Sequence, residues 1–218
     1  MTINLEYTEG QLEFLFNHKP GAKFIIVPCG RRWGKTKGAS NGTIEWMIEG
    51  NKVLWGDTIS SNIDRYVDRY FKPELNSSGI EYYWSSQKKL LELPEFGGYT
   101  DFRSADRPEN WEGFGYDKIV LNEAGIILKN DYLFTNAVLP MLMDNQGSKL
   151  YAIGTPKGKT VKNQKQHRFY SMFKRAISKD PLYSLHQYSS YTNPFLKNED
   201  VRTLEEEIKL MNPKMVQQ

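Results

Sequence analysis

A glycine-containing run near the amino terminus has the residue types that bind phosphate groups. It reads Cys29-Gly30-Arg31-Arg32-Trp33-Gly34-Lys35-Thr36 and lies between the apolar run Phe24 to Val27 and a stretch that favours a helix. In loops of this kind the backbone N–H groups surround the phosphates, the Lys reaches them as a point charge, and the Thr hydroxyl binds Mg²⁺. The residues predicted to bind a nucleotide are therefore Gly30, Arg31, Arg32, Trp33, Gly34, Lys35 and Thr36. The usual pattern has glycine where Cys29 stands, and a chance Gly-Lys-Thr turn is the alternative.

A second polar pair follows a strand-like run later in the chain. The run Ile119-Val120-Leu121 leads directly into Asn122 and Glu123. A glutamate at such a place can orient or deprotonate the water that attacks a phosphate, which predicts a catalytic role for Glu123. The residue before it usually holds Mg²⁺ through water, and the Asn122 amide oxygen can accept that hydrogen bond. Two polar surface residues at the end of a strand are the alternative.

The amide of Asn122 brings no charge to offset a metal ion. We therefore expect Thr36 and the phosphates to be the direct ligands of Mg²⁺, and Asn122 to accept a hydrogen bond from a water bound to the ion. Mg²⁺ should then be held more weakly than with a carboxylate at this position. If another carboxylate already supplies the charge, Asp57 and Asp117 are the first two to consider.

Two further residues are predicted at the nucleotide from shorter patterns. Thr155 follows the apolar residues Leu150 to Ile153, and parallel sheets bind their ligands beyond the carboxyl ends of strands. Gln11 carries a donor and an acceptor on one amide, which can satisfy both the amino group and a ring nitrogen of adenine. A plain Gly-Thr-Pro turn and a surface helix residue are the respective alternatives.

The loop after Thr155 is basic and contains no acidic residue as far as Arg168. Its cations are Lys157, Lys159, Lys162, Lys165 and Arg168. Such a loop can follow a phosphate backbone, and a solvated loop explains the same composition equally well. The run Glu205-Glu206-Glu207 instead favours the solvated face of a last helix.

The elements that must position these residues alternate between strand and helix. Strands are predicted at 24–28, 53–55, 82–84, 90–93, 99–103, 118–121 and 150–153. Helices are predicted at about 35–48, 62–71, 132–143 and 166–177, and Pro73 is expected to end the second of them. Strands joined by crossover helices predict an α/β fold, a three-layer sandwich with a mostly parallel central sheet.

Bulk composition is that of one globular domain. Of the 218 residues, 39% are hydrophobic and 25% charged, and the net charge of +3 does not by itself indicate a nucleic-acid partner. The single cysteine and an amino terminus without the features of a secretion signal favour a reducing cytoplasm. No apolar run reaches the ~20 residues of a membrane span. Three separated histidines argue against a zinc site, so any metal is expected to arrive with the nucleotide.

Together these motifs resemble the ATPase domain of the large terminase subunit, the DNA-packaging motor of tailed bacteriophages. The run Cys29 to Thr36 is similar to its phosphate loop, Leu121 to Ala124 to its acidic strand end, and Ile153 to Pro156 to its coupling motif. Phe102 to Glu109 resembles a stretch ahead of the acidic strand, and Thr192 to Phe195 resembles the exit toward a linker. The resemblance covers nearly the whole chain.

The resemblance implies a P-loop NTPase fold and an ATPase domain over residues 1–218, with 196–218 leading toward a nuclease domain that is absent from this chain. It implies Mg²⁺-dependent ATP hydrolysis that powers translocation of double-stranded DNA into a procapsid, without nuclease activity, in the host bacterial cytoplasm. The implied partners are double-stranded DNA, a portal protein, a small terminase subunit and further copies in a homo-oligomeric ring, with no membrane. Gln11 would contact adenine, Arg31 would act on the γ-phosphate, and Thr155 would couple hydrolysis to movement.

Two departures from the family pattern bear on the chemistry. Trp111-Glu112-Gly113 stands where many relatives have an Arg-Gly pair, which argues against an arginine finger donated from that position. Asn122 replaces the usual aspartate. A helicase-like DNA translocase is one alternative, although further helicase motifs and a second motor domain are lacking. An ATP-dependent binding switch with little hydrolysis is another, which Asn122 favours, and a small-molecule kinase agrees less well with Glu123.

Overall fold

Parallel pairing dominates the eight-stranded sheet that the described residues form. The strands are β1 (Phe24–Pro28), β2 (Lys52–Asp57), β3 (Tyr83–Ser85), β4 (Leu90–Leu93), β5 (Gly98–Ser104), β6 (Lys118–Asn122), β7 (Lys149–Gly154) and β8 (Tyr183–Leu185). Their order in the sheet is β3-β4-β5-β2-β6-β7-β1-β8. The six strands from β5 to β8 in this order run parallel, and β3 and β4 add an antiparallel edge. The predicted mostly parallel sheet is confirmed, and β8 is a short edge strand that the sequence did not indicate.

The computed structural model describes residues 3–111, 115–161 and 165–197, together with Glu199, Thr203, Glu205 and Glu206. The sequence-based expectations for Glu112 and Gly113, for Lys162, for Glu207 and for most of 196–218 therefore lie outside the described residues. Glu205 and Glu206 are helical and exposed, as a solvated helix face requires.

The helices cover both faces of the sheet. They are α1 (Glu9–Leu15), α2 (Lys35–Ile48), α3 (Ser60–Tyr66), α4 (Lys72–Ser77), α5 (Ala124–Ile127), α6 (Asp131–Leu133), α7 (Leu139–Asp144) and α8 (Arg168–Ile177). One apolar cluster contains side chains of α1 to α4, and a second contains side chains of α5 to α8. The strands contribute to the two clusters alternately: Ile25 and Val27 belong to the first, and Phe24 and Ile26 to the second. This arrangement is the expected three-layer sandwich.

Pro73 and Pro140 lie inside helical segments, and Pro73 corrects a prediction. Pro73 was expected to end the second helix, but the chain continues from α3 through a π turn, Val67–Phe71, into α4. Pro73 lies in the first turn of α4, where the missing N–H and the clash with the preceding turn are tolerated because the wider π turn shifts the hydrogen-bond register. Pro140 follows the π turn Phe134–Val138 at the start of α7 in the same way.

No helix within the described part of the chain is long and apolar enough to cross a bilayer.

The contact between α2 and β5 leaves no room for a side chain at the first residue of β5. A Cβ atom on Gly98 would lie 2.6 Å from the Cα atom and from the carbonyl carbon of Met47, which are backbone atoms that cannot rotate away. We expect Gly98→Ala to lower the free energy of unfolding by about 1–3 kcal/mol, because the helix must move off the sheet. Denaturant unfolding of both proteins measures this difference.

The neighbouring glycine provides the control for this substitution. Gly97 has φ +71° and open space around it. Gly97→Asn should change the unfolding free energy by less than about 1 kcal/mol, since asparagine tolerates left-handed backbone. Equal stability of the Gly98→Ala variant and the wild type would contradict the tight packing of α2 on β5.

Candidate functional site

The carboxyl ends of four neighbouring parallel strands meet at one edge of the sheet. The pairing places Pro28 beside Gly154, Ile153 beside Asn122, and Leu121 beside Gly56. The residues at or just beyond these ends are Cys29, Asp57, Asn122, Glu123 and Thr155. Parallel pairing therefore brings together three motifs that are far apart in the sequence.

The predicted phosphate loop leads from β1 into the amino terminus of α2. Arg32 and Gly34 have positive φ angles of 59° and 96°, and left-handed residues form part of the backbone nests that bind anions. Lys35 is the first residue of α2 and is only 8% exposed. The helix terminus and the lysine are thus both at the carboxyl edge of the sheet, where a phosphate would be attracted.

Lys35 contacts the predicted catalytic glutamate. Its Nζ atom lies 3.5 Å from Oε1 of Glu123. Glu123 has φ 66° and ψ 43° at the start of α5, a left-handed conformation that is uncommon outside glycine. Such conformations cluster at functional sites, where the surrounding structure holds them in place. The structure therefore brings the two residues together, and the turn after β6 fixes the glutamate.

A chain of hydrogen bonds runs from the loop into the sheet. The Thr36 hydroxyl donates to Oδ1 of Asn122 at 3.2 Å, and Nδ2 of Asn122 donates to Oδ2 of Asp57 at 2.7 Å. Asn122 and Asp57 are both fully buried. Burial raises the pKa of the Asp57 carboxyl, and hydrogen bonds from Asn122, Thr58 and Asn62 oppose that rise.

This donor set fits Mg²⁺ that is bound together with a nucleotide. Hard cations of this type prefer oxygen ligands, and Mg²⁺ usually takes few of them from the protein and the rest from phosphates and water. The Thr36 hydroxyl could be a direct ligand, and the adjacent Asn122 amide oxygen could accept a hydrogen bond from a metal-bound water. Within the described residues no group of three or more His, Cys, Asp or Glu side chains could hold a metal by itself.

Gln11 lies against the phosphate loop, where both ends of its amide are used. Nε2 donates to the Gly34 carbonyl oxygen at 2.9 Å, and Oε1 accepts from the Thr8 N–H at 2.8 Å in the capping box of α1. In this structure the residue predicted at adenine therefore connects α1 to the loop.

The loop is also held by a segment that sequence reasoning did not connect with it. The Trp33 ring stacks on Tyr188 with centroids 4.2 Å apart, and its Nε1 donates to the Thr192 hydroxyl at 3.0 Å. Asn193 donates to the Arg32 carbonyl oxygen at 2.6 Å. The segment from Thr192, predicted to lead toward a linker, therefore begins in contact with the phosphate loop. The Trp33 ring is covered by Tyr188.

The departure at Cys29 has a structural explanation. Cys29 continues β1 as a bridge to Tyr188, is buried and does not adopt the left-handed backbone that would require glycine. The next residue is the one that must be small, since a Cβ atom on Gly30 would lie 2.6 Å from the backbone nitrogen of Ser190. The glycine of the pattern has therefore shifted by one place.

The other predicted residues differ in their surroundings. Arg31 is exposed and makes no hydrogen bond or ion pair within the described part of the chain.

Thr155 is buried beside the turn that follows Glu123. That turn is held by His167, whose ring Nε2 lies 3.0 Å from the Gly125 carbonyl oxygen, a contact that no spacing in the sequence suggested. Arg168 at the end of the basic loop is paired with Asp131 at 2.7 Å.

Comparison with known proteins identifies the fold. No family model matches the sequence, and no curated protein matches it. The ATPase domain of the Thermus phage P74-26 large terminase is similar in structure, with 20% identity, coverage of 97% of this chain and 91% of that chain, and a TM-score of 0.72. The HK97 bacteriophage large terminase has 16% identity, coverage of 94% of this chain and 48% of that one, and a TM-score of 0.75.

A third similar structure is the large terminase of the thermophilic bacteriophage D6E in complex with ATP-γ-S. It has 18% identity, coverage of 97% of this chain and 51% of that chain, and a TM-score of 0.73. This chain thus spans about half the length of the HK97 and D6E proteins. It has the P-loop NTPase fold in the form found in the ATPase domains of phage large terminases.

Proposed function

We propose that this chain is the ATPase domain of a large terminase and that it hydrolyses ATP to drive DNA packaging. The observation that supports this most directly is the meeting of Lys35, Thr36, Asn122 and Glu123 at one edge of the sheet, on a terminase ATPase fold. Nucleotide binding is supported further by two similar structures of the D6E terminase, one in complex with ADP and one in complex with ATP-γ-S.

In this proposal Lys35 and Glu123 exchange partners during the reaction. In the structure the ammonium of Lys35 faces the Glu123 carboxylate. A triphosphate bound at the loop attracts Lys35 more strongly than one carboxylate does, because it carries more negative charge. Glu123 is then free to accept a proton from a water molecule and to orient that water toward the γ-phosphate.

The remaining roles follow from position. Thr36 and Asn122 would hold Mg²⁺, which when bound neutralises charge on the phosphates. Arg31 is exposed within the loop and would offset charge that develops on the γ-phosphate. Thr155 would transmit loss of the phosphate to the basic loop. Gln11 would contact adenine only if it gave up its bond to Thr8 or to Gly34.

The proposed partners are those of a packaging motor. They comprise double-stranded DNA, a portal protein, a small terminase subunit and further copies in a ring, in the cytoplasm of a bacterial host. The basic loop is the proposed contact with the DNA backbone, and Lys157 and Lys159 are exposed or partly exposed. Arg168 contributes less to this contact, because its charge is paired with Asp131.

A binding switch with little hydrolysis is the second candidate, and Asn122 is the observation that favours it. Steady-state phosphate release from Mg²⁺ and ATP distinguishes the two functions. Sustained turnover that stops in the Glu123→Gln variant supports the motor ATPase. Tight nucleotide binding without turnover, also when double-stranded DNA is present, supports the switch.

Replacement of Lys35 tests the phosphate site. Lys35→Ala should abolish ATP hydrolysis, because the loop loses the lysine that reaches the β- and γ-phosphates. Lys37→Ala is the matched control, since Lys37 lies in the same turn of α2 and pairs with Glu74. We expect this control to retain turnover. Wild-type turnover in Lys35→Ala would show that the loop does not bind phosphate as proposed.

Replacement of Glu123 separates binding from chemistry. Glu123→Gln should reduce turnover by about two orders of magnitude or more, the range expected for loss of a positioned base. Nucleotide affinity should be retained, because the amide holds Lys35 less strongly than the carboxylate does. Single-turnover kinetics and equilibrium titration with ADP measure the two quantities. A parallel loss of both would indicate a structural role for Glu123.

A further inference from the structure

The position that usually carries the metal-site carboxylate holds a neutral amide in this chain, and the hydrogen bonds around that amide identify a replacement. Asn122 uses its oxygen toward Thr36 and its nitrogen toward Asp57. A carboxylate only accepts hydrogen bonds, so Asp57 fixes the Asn122 nitrogen on its own side and leaves the oxygen facing the loop. The hydrogen bond to Asp57 therefore favours this orientation of Asn122.

Hydrogen-bond donors surround the buried Asp57 carboxyl group. Oδ1 accepts from the Thr58 N–H at 2.7 Å, from the Thr58 hydroxyl at 3.2 Å and from Asn62 at 3.4 Å, while Oδ2 accepts from Asn122. These four donors on two oxygens favour the carboxylate and oppose the rise in pKa that burial causes. The nearby Tyr66 hydroxyl is neutral, since burial, with the charges of Asp57 and Glu123, raises its pKa to about 12.

The other carboxylate considered from the sequence is at the wrong end of the sheet. Asp117 precedes β6 and accepts from the backbone N–H of Lys52, which begins β2, whereas Asp57 ends β2 and Asn122 ends β6. In parallel strands the two ends are separated by the length of the strand. Asp117 is therefore remote from Thr36, and Asp57 is one hydrogen bond beyond Asn122.

We propose that Asp57 is a positioning residue for Mg²⁺, which supplies through Asn122 the negative charge that a carboxylate at position 122 would otherwise provide. Asn122 presents its oxygen to Thr36 and to the water shell of the ion, and Asp57 polarises that amide from behind. Mutation of a residue that hydrogen-bonds to a metal ligand commonly lowers metal affinity by about 10- to 100-fold. This inference rests on the proposed nucleotide site.

The two residues allow a substitution that moves the charge and keeps the hydrogen bonds. In the double variant Asp57→Asn with Asn122→Asp, the amide introduced at position 57 donates through its nitrogen to position 122, and its oxygen accepts from Thr58. The carboxylate introduced at position 122 accepts from Thr36. Each single variant breaks this pattern: Asp57→Asn places two amides together without a charge, and Asn122→Asp places two carboxylates in contact within a buried site.

The experiment measures how much Mg²⁺ strengthens ADP binding, by calorimetric titration at a series of free Mg²⁺ concentrations, with thermal unfolding of the ligand-free proteins in parallel. Asp57→Asn should weaken Mg²⁺ affinity in the ADP complex about tenfold or more while binding ADP in EDTA nearly as the wild type does. The double variant should regain at least the wild-type Mg²⁺ affinity. Asp117→Asn is the matched control and should leave it unchanged.

Three outcomes would overturn the inference. They are wild-type Mg²⁺ affinity in a folded Asp57→Asn variant, a weakened affinity in a folded double variant, and an equal loss in Asp117→Asn. If Asp57→Asn does not fold, the double variant decides, since it retains the hydrogen bonds. Absence of ADP binding to the wild type would instead refute the proposed nucleotide site, which separates the two failures.

Discussion

The register of the parallel strands β1, β7, β6 and β2 is the constraint on which the site depends. It sets the strand ends side by side, so that the phosphate loop, the Asn122-Glu123 pair and the buried Asp57 converge although they are far apart in the sequence. A slip of one residue in any of these strands would turn its side chains to the opposite face of the sheet. The alternation of Ile25 and Ile26 between two apolar clusters fixes the register, because each face has its own partners.

Much of the fold could be predicted from the sequence, because its signals are local. The apolar run before Cys29 and the helix that begins at Lys35 were predicted at the bounds that the structure has, and β4 likewise. The prediction that the second helix ends at Pro73 was wrong. A π turn, which amino-acid composition does not indicate, allows the helix to continue. The residues of the candidate site were selected by motif, and their adjacency at the sheet edge follows from the parallel order.

Sequence reasoning could not supply the contacts that join distant segments through side chains without a motif. The stacking of Trp33 on Tyr188 and the hydrogen bond from Asn193 to Arg32 connect residues that are far apart in the sequence. His167 was considered only as a metal ligand, whereas its ring contacts the turn after Glu123. The sequence identifies Asp57 as a candidate source of negative charge but does not show that it contacts Asn122. That contact depends on which strand pairs with β6.

The burial of Cys29 has a practical consequence. Desolvation raises the pKa of its thiol to about 12, so the reactive thiolate is scarce at neutral pH and the sulfur is shielded from reagents. Because this is the single cysteine of the chain, maleimide dyes or spin labels can be directed to a cysteine introduced on the surface while Cys29 stays in place. Distances between such labels would then report on motions of the loop and of the segment packed on it.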